Sequence, residues 1–469
     1  MVDAPSHIPV TLKDEDGTKN MWKMILACHG DVEFVWIQFV PIHGAIRVRM
    51  IPIGEFSRMI EHGQKLSIAS VITHALRNDH VAAGAKSTGV IYLSPDLSTA
   101  SIAPLAADKH RLEIFAWHTT QNGIPVSECP RYNLTRITQI LDNEFGLYAL
   151  VGFEIEIVFF NSEDGNFRGS STSAPDSNHT WSAVTSDVRA LLPMVEDIVR
   201  CLAKTQIYVQ QFHAESAPGQ WEIVLPPQRP LEAVDSLIRA REAIKLIAAE
   251  HGYYASLHPR PFSDHAGTGA HVHISVNPNE LEAGKAKSAD NTKIVNTDSF
   301  FAGIIDHFCS LMAFCLPLDV SYERAVAGIW SGGEYVSWGS QNRETPMRRI
   351  TRNRFEIKLH CGTANPYASL SALMAAGIDG LRRDTLLTAG DCQEVPSQMT
   401  DAQRATMGIC AKIPRGIEDS LNYLRDDHRL VDLLGKAYTD SYVAVTKEWN
   451  DYVSSMPHES QREWLLKNY

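Results

Sequence analysis

The chain has 469 residues, of which 44% are hydrophobic and 21% are charged, and its formal net charge is −12. This composition is typical of a globular protein, and the length predicts one large domain together with a small one. A negative charge of this size argues against proteins that bind nucleic acid or anionic membranes through a basic surface, so we expect neither partner.

The compartment is predicted from the N-terminus, the cysteines and the most apolar segment. The first thirty residues lack a basic start followed by an apolar run, which predicts that there is no secretory signal. Eight cysteines show no zinc-ligand spacing, so we interpret them as reduced residues of a cytoplasmic protein. The apolar run 300–318 contains Asp306 and His307, which favours a buried helix over a membrane span.

The first quarter of the chain is rich in predicted strands. Residues 1–20 are polar and are predicted to be loose. Aromatic and β-branched residues over 34–53 predict two strands around a hairpin turn at 41–44. Two further strands are predicted at 89–93 and 112–117. The pattern indicates a small mixed domain at this end of the chain.

The rest of the chain alternates strands with longer helices. The polar stretch 277–296 is predicted to be a surface loop. Strands are predicted at 152–160, 207–212 and 221–225. Helices are predicted at 135–144, 231–250, 300–316, 366–383, 417–435 and 441–454.

The strand predicted at 152–160 carries two acidic residues. Glu154 and Glu156 are two positions apart, so their side chains lie on the same face of a strand. Two neighbouring carboxylates in apolar sequence repel each other unless a cation lies between them. Oxygen ligands favour Mg²⁺ or Mn²⁺. The alternative is an amphipathic strand whose glutamates face water.

Two later segments add residues of the same ligand types. Glu215 and Glu222 lie on either side of a Pro-Gly turn, and a hairpin would bring their side chains together. His271 and His273 share a face of another predicted strand. Each pair alone has an ordinary explanation, namely a solvated hairpin and two strand histidines.

A third segment has one ionic and one apolar face. In the run 354–359, Arg354, Glu356 and Lys358 alternate with Phe, Ile and Leu. Such a face is commonly a row of cross-strand ion pairs worth less than about 1 kcal/mol each.

Taken in order, these motifs resemble those of the glutamine synthetase superfamily. The series is G-x-E-x-E, E-(6)-E, G-x-G-x-H-x-H-x-S, Y-x-R, N-R-x-x-x-x-R and R-x-E-x-K. The resemblance implies an α+β protein with an N-terminal β-grasp domain over 20–122. It also implies a catalytic domain of the glutamine synthetase/guanido kinase type over 123–469, in which a curved antiparallel sheet lines the site.

The resemblance also implies site residues and co-substrates. One Mg²⁺ or Mn²⁺ would be held by Glu156, Glu215 and Glu222, and a second by Glu154, His271 and Glu356. ATP would contact Gln210, His273, Ser275, Arg343 and Arg348. Arg343 would act on the transferring phosphoryl group. The acid substrate would contact Gly267, Arg324, Trp330 and Lys358.

The sequence departs from the family pattern at the substrate end. Trp330 replaces the acidic residue of members that make glutamine, Ala266 replaces an asparagine, and Lys358 replaces an arginine. The family's ammonium-binding aspartate has no clear counterpart, with Asp79 the nearest residue. Glu334 could instead supply the missing acid.

These departures predict an ATP-dependent carboxylate–amine ligase that joins glutamate or a related acid to an amine larger than ammonia. The resemblance implies a ring-forming homo-oligomer, decamer or dodecamer. Three alternatives stay open: a glutamine synthetase that uses ammonia, a catalytically silent scaffold or regulator, and guanidino phosphotransfer.

Overall fold

The computed structural model describes residues 15–104, 110–162, 180–279 and 297–469. Its strands are β1 Phe34–Phe39, β2 Arg47–Pro52, β3 Leu66–Ala69, β4 Val90–Pro95, β5 Ser101–Ile102, β6 Arg111–Thr119, β7 Leu147–Asn161, β8 Gln211–Ala214, β9 Gln220–Val224, β10 Tyr253–Ser256, β11 Val272–Pro278, β12 Trp338–Ser340, β13 Met347–Thr351 and β14 Arg354–Ile357. Its helices are α1 Glu15–Cys28, α2 Ile53–Glu61, α3 Pro130–Phe145, α4 Ser186–Lys204, α5 Pro230–Glu250, α6 Asp298–Asp306, α7 Phe308–Cys315, α8 Pro366–Arg382, α9 Asp401–Thr406, α10 Ile417–Asp426, α11 His428–Leu434, α12 Lys436–Ser454 and α13 His458–Asn468.

The strands form two sheets in an α+β fold, as predicted. The first has the order β2-β1-β6-β4-β3, with β5 paired to β6. Its β1–β2 hairpin is antiparallel and encloses the predicted turn, whereas β1 and β6 run parallel. The apolar side chains of this sheet pack with α1 and α2 into a core of their own. The division of the chain into 20–122 and 123–469 stays a prediction.

The second sheet has eight strands and positions the candidate site. Its order is β12-β13-β14-β11-β7-β9-β8, with β10 also paired to β7. All of these pairs are antiparallel except β12–β13. The long strand β7 lies at the centre because its alternate positions are aromatic or β-branched and pack on α3 and α5. Polar side chains on the other face can therefore meet across several strands.

Several helices differ from the prediction. The segment 1–20 was predicted to be loose, yet α1 begins at Glu15. Helix α4 was not predicted at all; it contains Pro193, which normally interrupts a helical pattern, and the Thr185 side chain caps it by accepting the Val188 N–H. The predicted helix 417–435 is two helices, because Asp427 leaves the helical conformation and caps α11.

The predicted helix 300–316 is also broken. It forms α6 and α7, which meet at His307 with a bend of 78°. The His307 ring contacts Asp379 at 3.0 Å and Asp427 at 2.7 Å, so two carboxylates hold the ring at the break. Among the described residues no single helix is long and apolar enough to cross a membrane. The bent pair α6 and α7, taken together, has the length and apolar composition of a membrane span. Both helices are mostly buried in the core, as predicted.

A buried ion-pair group joins the two sheets. Arg131 in α3 lies 2.9 Å from an Asp96 carboxylate oxygen beside the first sheet and 2.7 Å from Asp235 in α5. The guanidinium also lies over the Trp117 ring at 3.9 Å. Breaking a buried pair of this kind costs several kcal/mol because one charge is left alone, so the sheets are held in a fixed relation.

Buried neutral histidines predict acid sensitivity. Burial lowers the pKa of His118 to about 4, and neither ring nitrogen has a hydrogen-bond partner among the described residues. Burial also lowers the pKa of His258 and of His360 to about 3. The unfolded chain takes up these protons below about pH 6.5, whereas the folded chain does not, so stability falls as pH falls from 6.5 toward 4.

We therefore expect His118→Phe to weaken the pH dependence of unfolding. Each such histidine contributes up to about 1.4 kcal/mol per pH unit below its unfolded pKa. Urea unfolding at pH 6.5, 5.5 and 4.5 measures how the free energy of unfolding changes with pH. The variant is expected to lose the part of this pH dependence that corresponds to uptake of one proton. The exposed His62→Phe is the control. An unchanged slope in His118→Phe would contradict the prediction.

Candidate active site

One cavity of about 470 Å³ collects all six predicted metal ligands. They come from five segments of the second sheet and its connections, far apart in the sequence. The interpretation in which the strand and hairpin glutamates face water is therefore wrong for these side chains, which are buried or half-buried. The six are Glu154, Glu156, Glu215, Glu222, His271 and Glu356.

The sheet register places like charges against each other. Glu156 on β7 lies directly opposite Glu222 on β9. Both side chains are buried, and directly opposed carboxylates destabilise a sheet unless a cation lies between them. Glu156 also accepts hydrogen bonds from the Gly269 N–H at 2.6 Å and from Gln220 Nε2 at 3.1 Å. These donors fix its carboxylate toward the cavity.

The His271 imidazole lies among three of these carboxylates. Its Nδ1 is 2.9 Å from Glu154 and 3.3 Å from Glu356, and its Nε2 is 3.6 Å from Glu156. Burial favours the neutral ring, yet the charge of Glu156 and the hydrogen bond to Glu154 outweigh it and raise the pKa of His271. Burial would raise the pKa of Glu154, yet hydrogen bonds to His271 and His273 outweigh it and hold this pKa well below its usual range.

Glu215 has the opposite environment. Burial and then the charges of Glu156 and Glu222 raise the pKa of Glu215 to about 7. His213 partly balances this negative charge, with Nε2 3.2 Å from Glu222 and Nδ1 3.7 Å from Glu215. The hydrogen bond to Glu222 raises the pKa of His213 to about 9. This end of the cavity has more carboxylates than cations.

The donor set fits divalent cations. Five carboxylates around one imidazole are the oxygen-rich ligands that Mg²⁺ and Mn²⁺ prefer. Among the described residues, three groups of side chains have ligand atoms within 4.8 Å of one another. These groups differ from the two predicted sets of ligands, and none of them contains Glu156, which accepts hydrogen bonds from the Gly269 N–H and from Gln220. The groups are Glu154/His273/Glu356, Glu154/Glu222/His271 and His213/Glu215/Glu222.

The ionic residues of the run 354–359 have two different environments. Arg354 is exposed, whereas Glu356 and Lys358 are each almost fully buried, with Lys358 Nζ 3.5 Å from Glu356 Oε1. Arg348 Nε lies 2.9 Å from Glu356 Oε2, an ion pair without hydrogen-bond geometry. Burial would raise the pKa of Glu356, yet the charges of Lys358 and His271 outweigh it and lower this pKa. The charges of Glu356, Lys358 and Arg348 thus belong to the cavity.

Arg324 lines the same cavity from a buried position. Its Nη1 donates to the His360 carbonyl at 3.0 Å, while its Nε has no partner among the described residues. Glycines allow this close approach, since a Cβ at Gly267 would lie 2.9 Å from Arg324 Cγ and a Cβ at Gly269 would lie 2.4 Å from His271 Nε2. The predicted acid-binding residues Gly267, Arg324 and Lys358 are therefore neighbours.

A smaller cavity of about 180 Å³ lies beside the first. It contains three of the predicted ATP-binding residues, Gln210, His273 and Ser275. Arg354 donates to His273 Nδ1 at 3.1 Å, so Nε2 carries the proton and donates to Glu154 at 2.8 Å. Glu154 lines the larger cavity, and His273 therefore joins the two. The other two predicted ATP-binding residues, Arg343 and Arg348, line the larger cavity.

Trp330 lies in a loop whose backbone N–H groups donate hydrogen bonds to a buried carboxylate. Glu344 accepts the N–H of Trp330 at 3.0 Å and of Gly328 at 3.1 Å. Trp330 has a left-handed backbone, with φ of 57°, and its side chain lines the large cavity while remaining 59% exposed. A non-glycine residue in this conformation costs about 1 kcal/mol or more and persists where its surroundings fix it.

The other departures from the family pattern lie in different places. Ala266 lines the large cavity beside Trp330. Asp79 pairs with Arg47 at 2.6 Å, is largely exposed and is absent from the cavity lining. Glu334 accepts the Ala327 N–H at 3.4 Å and does not line the cavity either. Within this chain, neither Asp79 as the nearest counterpart of the ammonium-binding aspartate nor Glu334 as a replacement for the acid at position 330 lines the cavity.

Sequence reasoning missed three side chains of this site. His213 and Gln220 each lie two positions from a predicted ligand, so strand alternation could have found them. Gln220 joins Glu156 to the Gly267 carbonyl, donating to each at 3.1 Å. Trp181 also lines the cavity, but it comes from a loop that has no pattern to indicate it.

Comparisons with known proteins agree with the geometry. A family model described as "Glutamine synthetase, catalytic domain" matches residues 127–465. Protein fluG of Emericella nidulans is 39% identical over 439 residues, which are 93% of this chain and 49% of fluG, so the chain spans about half the length of that relative. Gamma-glutamylpolyamine synthetase GlnA3 of Streptomyces coelicolor is 28% identical, over 88% of this chain and 89% of its own.

The fold is also that of solved relatives. The structure of a GmaS/ADP complex superposes with a TM-score of 0.75 at 22% identity, covering 94% of this chain and 98% of the other. A glutamine synthase homolog superposes with a TM-score of 0.76 at 19% identity. The catalytic-domain match covers more than two thirds of the chain, and the cavity holds candidate carboxylate and histidine ligands for a metal ion. The chain belongs to the glutamine synthetase family of ATP-dependent ligases that form C–N bonds.

Proposed function

We propose that this chain joins glutamate or a closely related acid to an amine larger than ammonia, with ATP as the energy source. The observation that carries the proposal is the convergence of five carboxylates and His271 with three arginines in the cavity that Trp330 lines. The phosphoryl-transfer side retains every predicted residue, whereas the nitrogen side has an indole where the family has an acid.

The chemistry has two steps. The acid's carboxylate attacks the γ-phosphorus of ATP, ADP leaves, and an acyl phosphate forms. The amine nitrogen then attacks the acyl carbon, inorganic phosphate leaves, and the nitrogen loses a proton. Divalent cations in the carboxylate cluster would neutralise the phosphate oxygens and align the reacting groups.

The chain's own residues support these steps by position and charge. Arg324 is buried with an unused Nε donor and is suited to hold the acid's carboxylate. Arg343 is exposed to the cavity and is suited to place positive charge on the transferring phosphoryl group. Gln210, His273 and Ser275 supply the nucleotide side through the smaller cavity.

The amine is assigned by what surrounds it. Trp330 and Trp181 both line the cavity and are more than half exposed there. An indole face packs against an alkyl or aromatic body and attracts a cationic amine. A relative bears the name gamma-glutamylpolyamine synthetase, which agrees with an amine of some length. Ammonium has no alkyl or aromatic body that could pack against either ring.

A panel of amines tests the proposal. Phosphate release is measured with ATP, Mg²⁺ and glutamate, adding ammonium, methylamine, aromatic amines or polyamines in turn. We expect release with at least one larger amine and little with ammonium. Equal release with ammonium would favour the glutamine synthetase alternative, and no nucleotide binding by calorimetry would favour the silent scaffold.

We also propose that the chain forms the predicted homo-oligomeric ring. Light scattering measures the molar mass of the assembly and so tests this proposal.

Cation binding is expected to release a proton below pH 7. Glu215 holds its proton there, because burial and Glu156 raise its pKa to about 7, and a cation binds only the ionised form. The affinity for Mg²⁺ should therefore rise as pH rises through about 7. Calorimetry at pH 6.5 in two buffers that differ in ionisation enthalpy measures the protons released on binding, and Glu215→Gln is expected to release about one fewer. Equal release by Glu215→Gln and the unsubstituted chain would contradict the assignment.

A further inference from the structure

A second, cationic cavity lies where the first sheet meets α5. It has a volume of about 60 Å³ and shares no lining residue with the 470 Å³ cavity. His43 and Arg77 reach it from connections of the first sheet, and Arg241 and Lys245 reach it from α5. This space holds a few water molecules or one tetrahedral oxyanion. None of these residues has a part in the ligase chemistry.

The charge in this cavity is positive and poorly neutralised. Arg77, Arg241 and Lys245 are cationic, and the single lining carboxylate, Glu242, is exposed and 4.0 Å from Lys245. Arg241 is only 7% exposed, and its contact is to the Gly362 carbonyl. A buried charge without a counter-charge costs several kcal/mol, so the arrangement suits a bound anion.

The cavity also has unused hydrogen-bond donors. Arg241 Nε and Nη2 and Arg77 Nη1 are buried and have no partner in the part of the chain that the structure describes. His43 Nδ1 accepts the Ala45 N–H at 3.1 Å, so Nε2 carries the ring proton, and this donor is buried and unpartnered as well. Each unmet buried donor costs about 1–3 kcal/mol. The set consists of four buried N–H donors.

We propose that this cavity binds a small oxyanion of the size of phosphate. The forked guanidinium of Arg241 can donate to two oxygens, while His43 and Arg77 donate from the opposite element. Because the donors come from connections of the first sheet and from α5, a bound anion would link these two parts of the chain. A phosphate and a small carboxylate share the chemistry that these donors recognise.

Anion-dependent stability tests the site. The full chain is titrated with inorganic phosphate, and in a separate arm with malonate, at constant ionic strength, and its thermal midpoint is followed. We expect saturable stabilisation of the unsubstituted chain. Arg241→Met is expected to weaken the affinity at least about ten-fold. The anion with the lower dissociation constant identifies phosphate or carboxylate as the source.

Two controls separate this site from other effects. Arg200→Gln removes an exposed charge elsewhere and should leave the affinity unchanged. Arg343→Gln, in the larger cavity, should also retain it, which excludes phosphate bound at the candidate active site. Arg77→Gln, at a half-buried position, tests the site again if Arg241→Met does not fold. Equal affinity in Arg77→Gln and the unsubstituted chain, or loss of affinity in Arg343→Gln alone, would overturn the proposal, as would no stabilisation by either anion.

Discussion

Glu215→Gln is expected to make the metal-free protein more stable at pH 8 while reducing phosphate release at least about 1,000-fold. Few substitutions of a buried residue raise stability, since most destabilise by about 1 kcal/mol. The two effects have opposite directions because the same negative charge is unfavourable in the folded chain and necessary for cation binding.

The sign follows from the surroundings of Glu215. Burial and the charges of Glu156 and Glu222 raise its pKa to about 7. A carboxyl whose folded pKa is raised favours folding at low pH, and this contribution is lost as pH rises from about 4.5 to about 7. Above pH 7 the ionised group destabilises the folded chain by about 3 kcal/mol, and glutamine removes that cost. A residue with only a structural role would instead lose stability when replaced.

Glu113→Gln is the matched control. Burial also raises the pKa of Glu113, a strand residue of the first sheet that lies outside the candidate active site. Its replacement should leave phosphate release unchanged. Urea unfolding with EDTA and with Mg²⁺, together with the coupled assay, measures both effects. If Glu215→Gln kept full activity, or if Mg²⁺ stabilised it as much as the unsubstituted chain, Glu215 would not be a cation ligand.

Strand alternation predicted part of the candidate site because strand geometry is regular, whereas the arginines and the nucleotide-side residues follow only from the family resemblance. Alternation alone placed Glu154 with Glu156 and Arg354 with Glu356 on common faces. It could not show that Glu156 lies opposite Glu222, since register depends on the whole sheet. That register explains why the carboxylates form one cluster, and it came from the structure.

The parts that the sequence did not predict depend on tertiary contacts. The break at His307 requires Asp379 and Asp427, which come from distant helices. The conformation of Trp330 requires Glu344, which accepts its N–H from fourteen residues away. Propensity and periodicity describe neighbours in sequence, so they do not report such contacts. The division of ligands between two cations likewise stays a prediction.

Trp330→Glu is expected to change the amine that the protein prefers. The substitution restores an acid at the position where the resemblance predicts one in glutamine-forming relatives. We expect kcat/KM for the best larger amine to fall at least about 100-fold, because the indole contact and its cation–π attraction are lost, while use of ammonium rises about ten-fold. Phosphate release with each amine at saturating ATP and glutamate measures both.

Trp330→Glu should affect only the step in which the amine reacts, provided that the loop keeps its backbone conformation. Glutamate tolerates the left-handed conformation of residue 330 no better than tryptophan does, and the N–H bond to Glu344 remains. The affinity for ATP should therefore stay within about two-fold, since Gln210 and His273 lie in the other cavity. Tyr423→Glu, at an exposed aromatic residue outside the cavity, controls for a surface charge. An unchanged ratio of the two amines in Trp330→Glu would show that the indole does not select the nitrogen substrate.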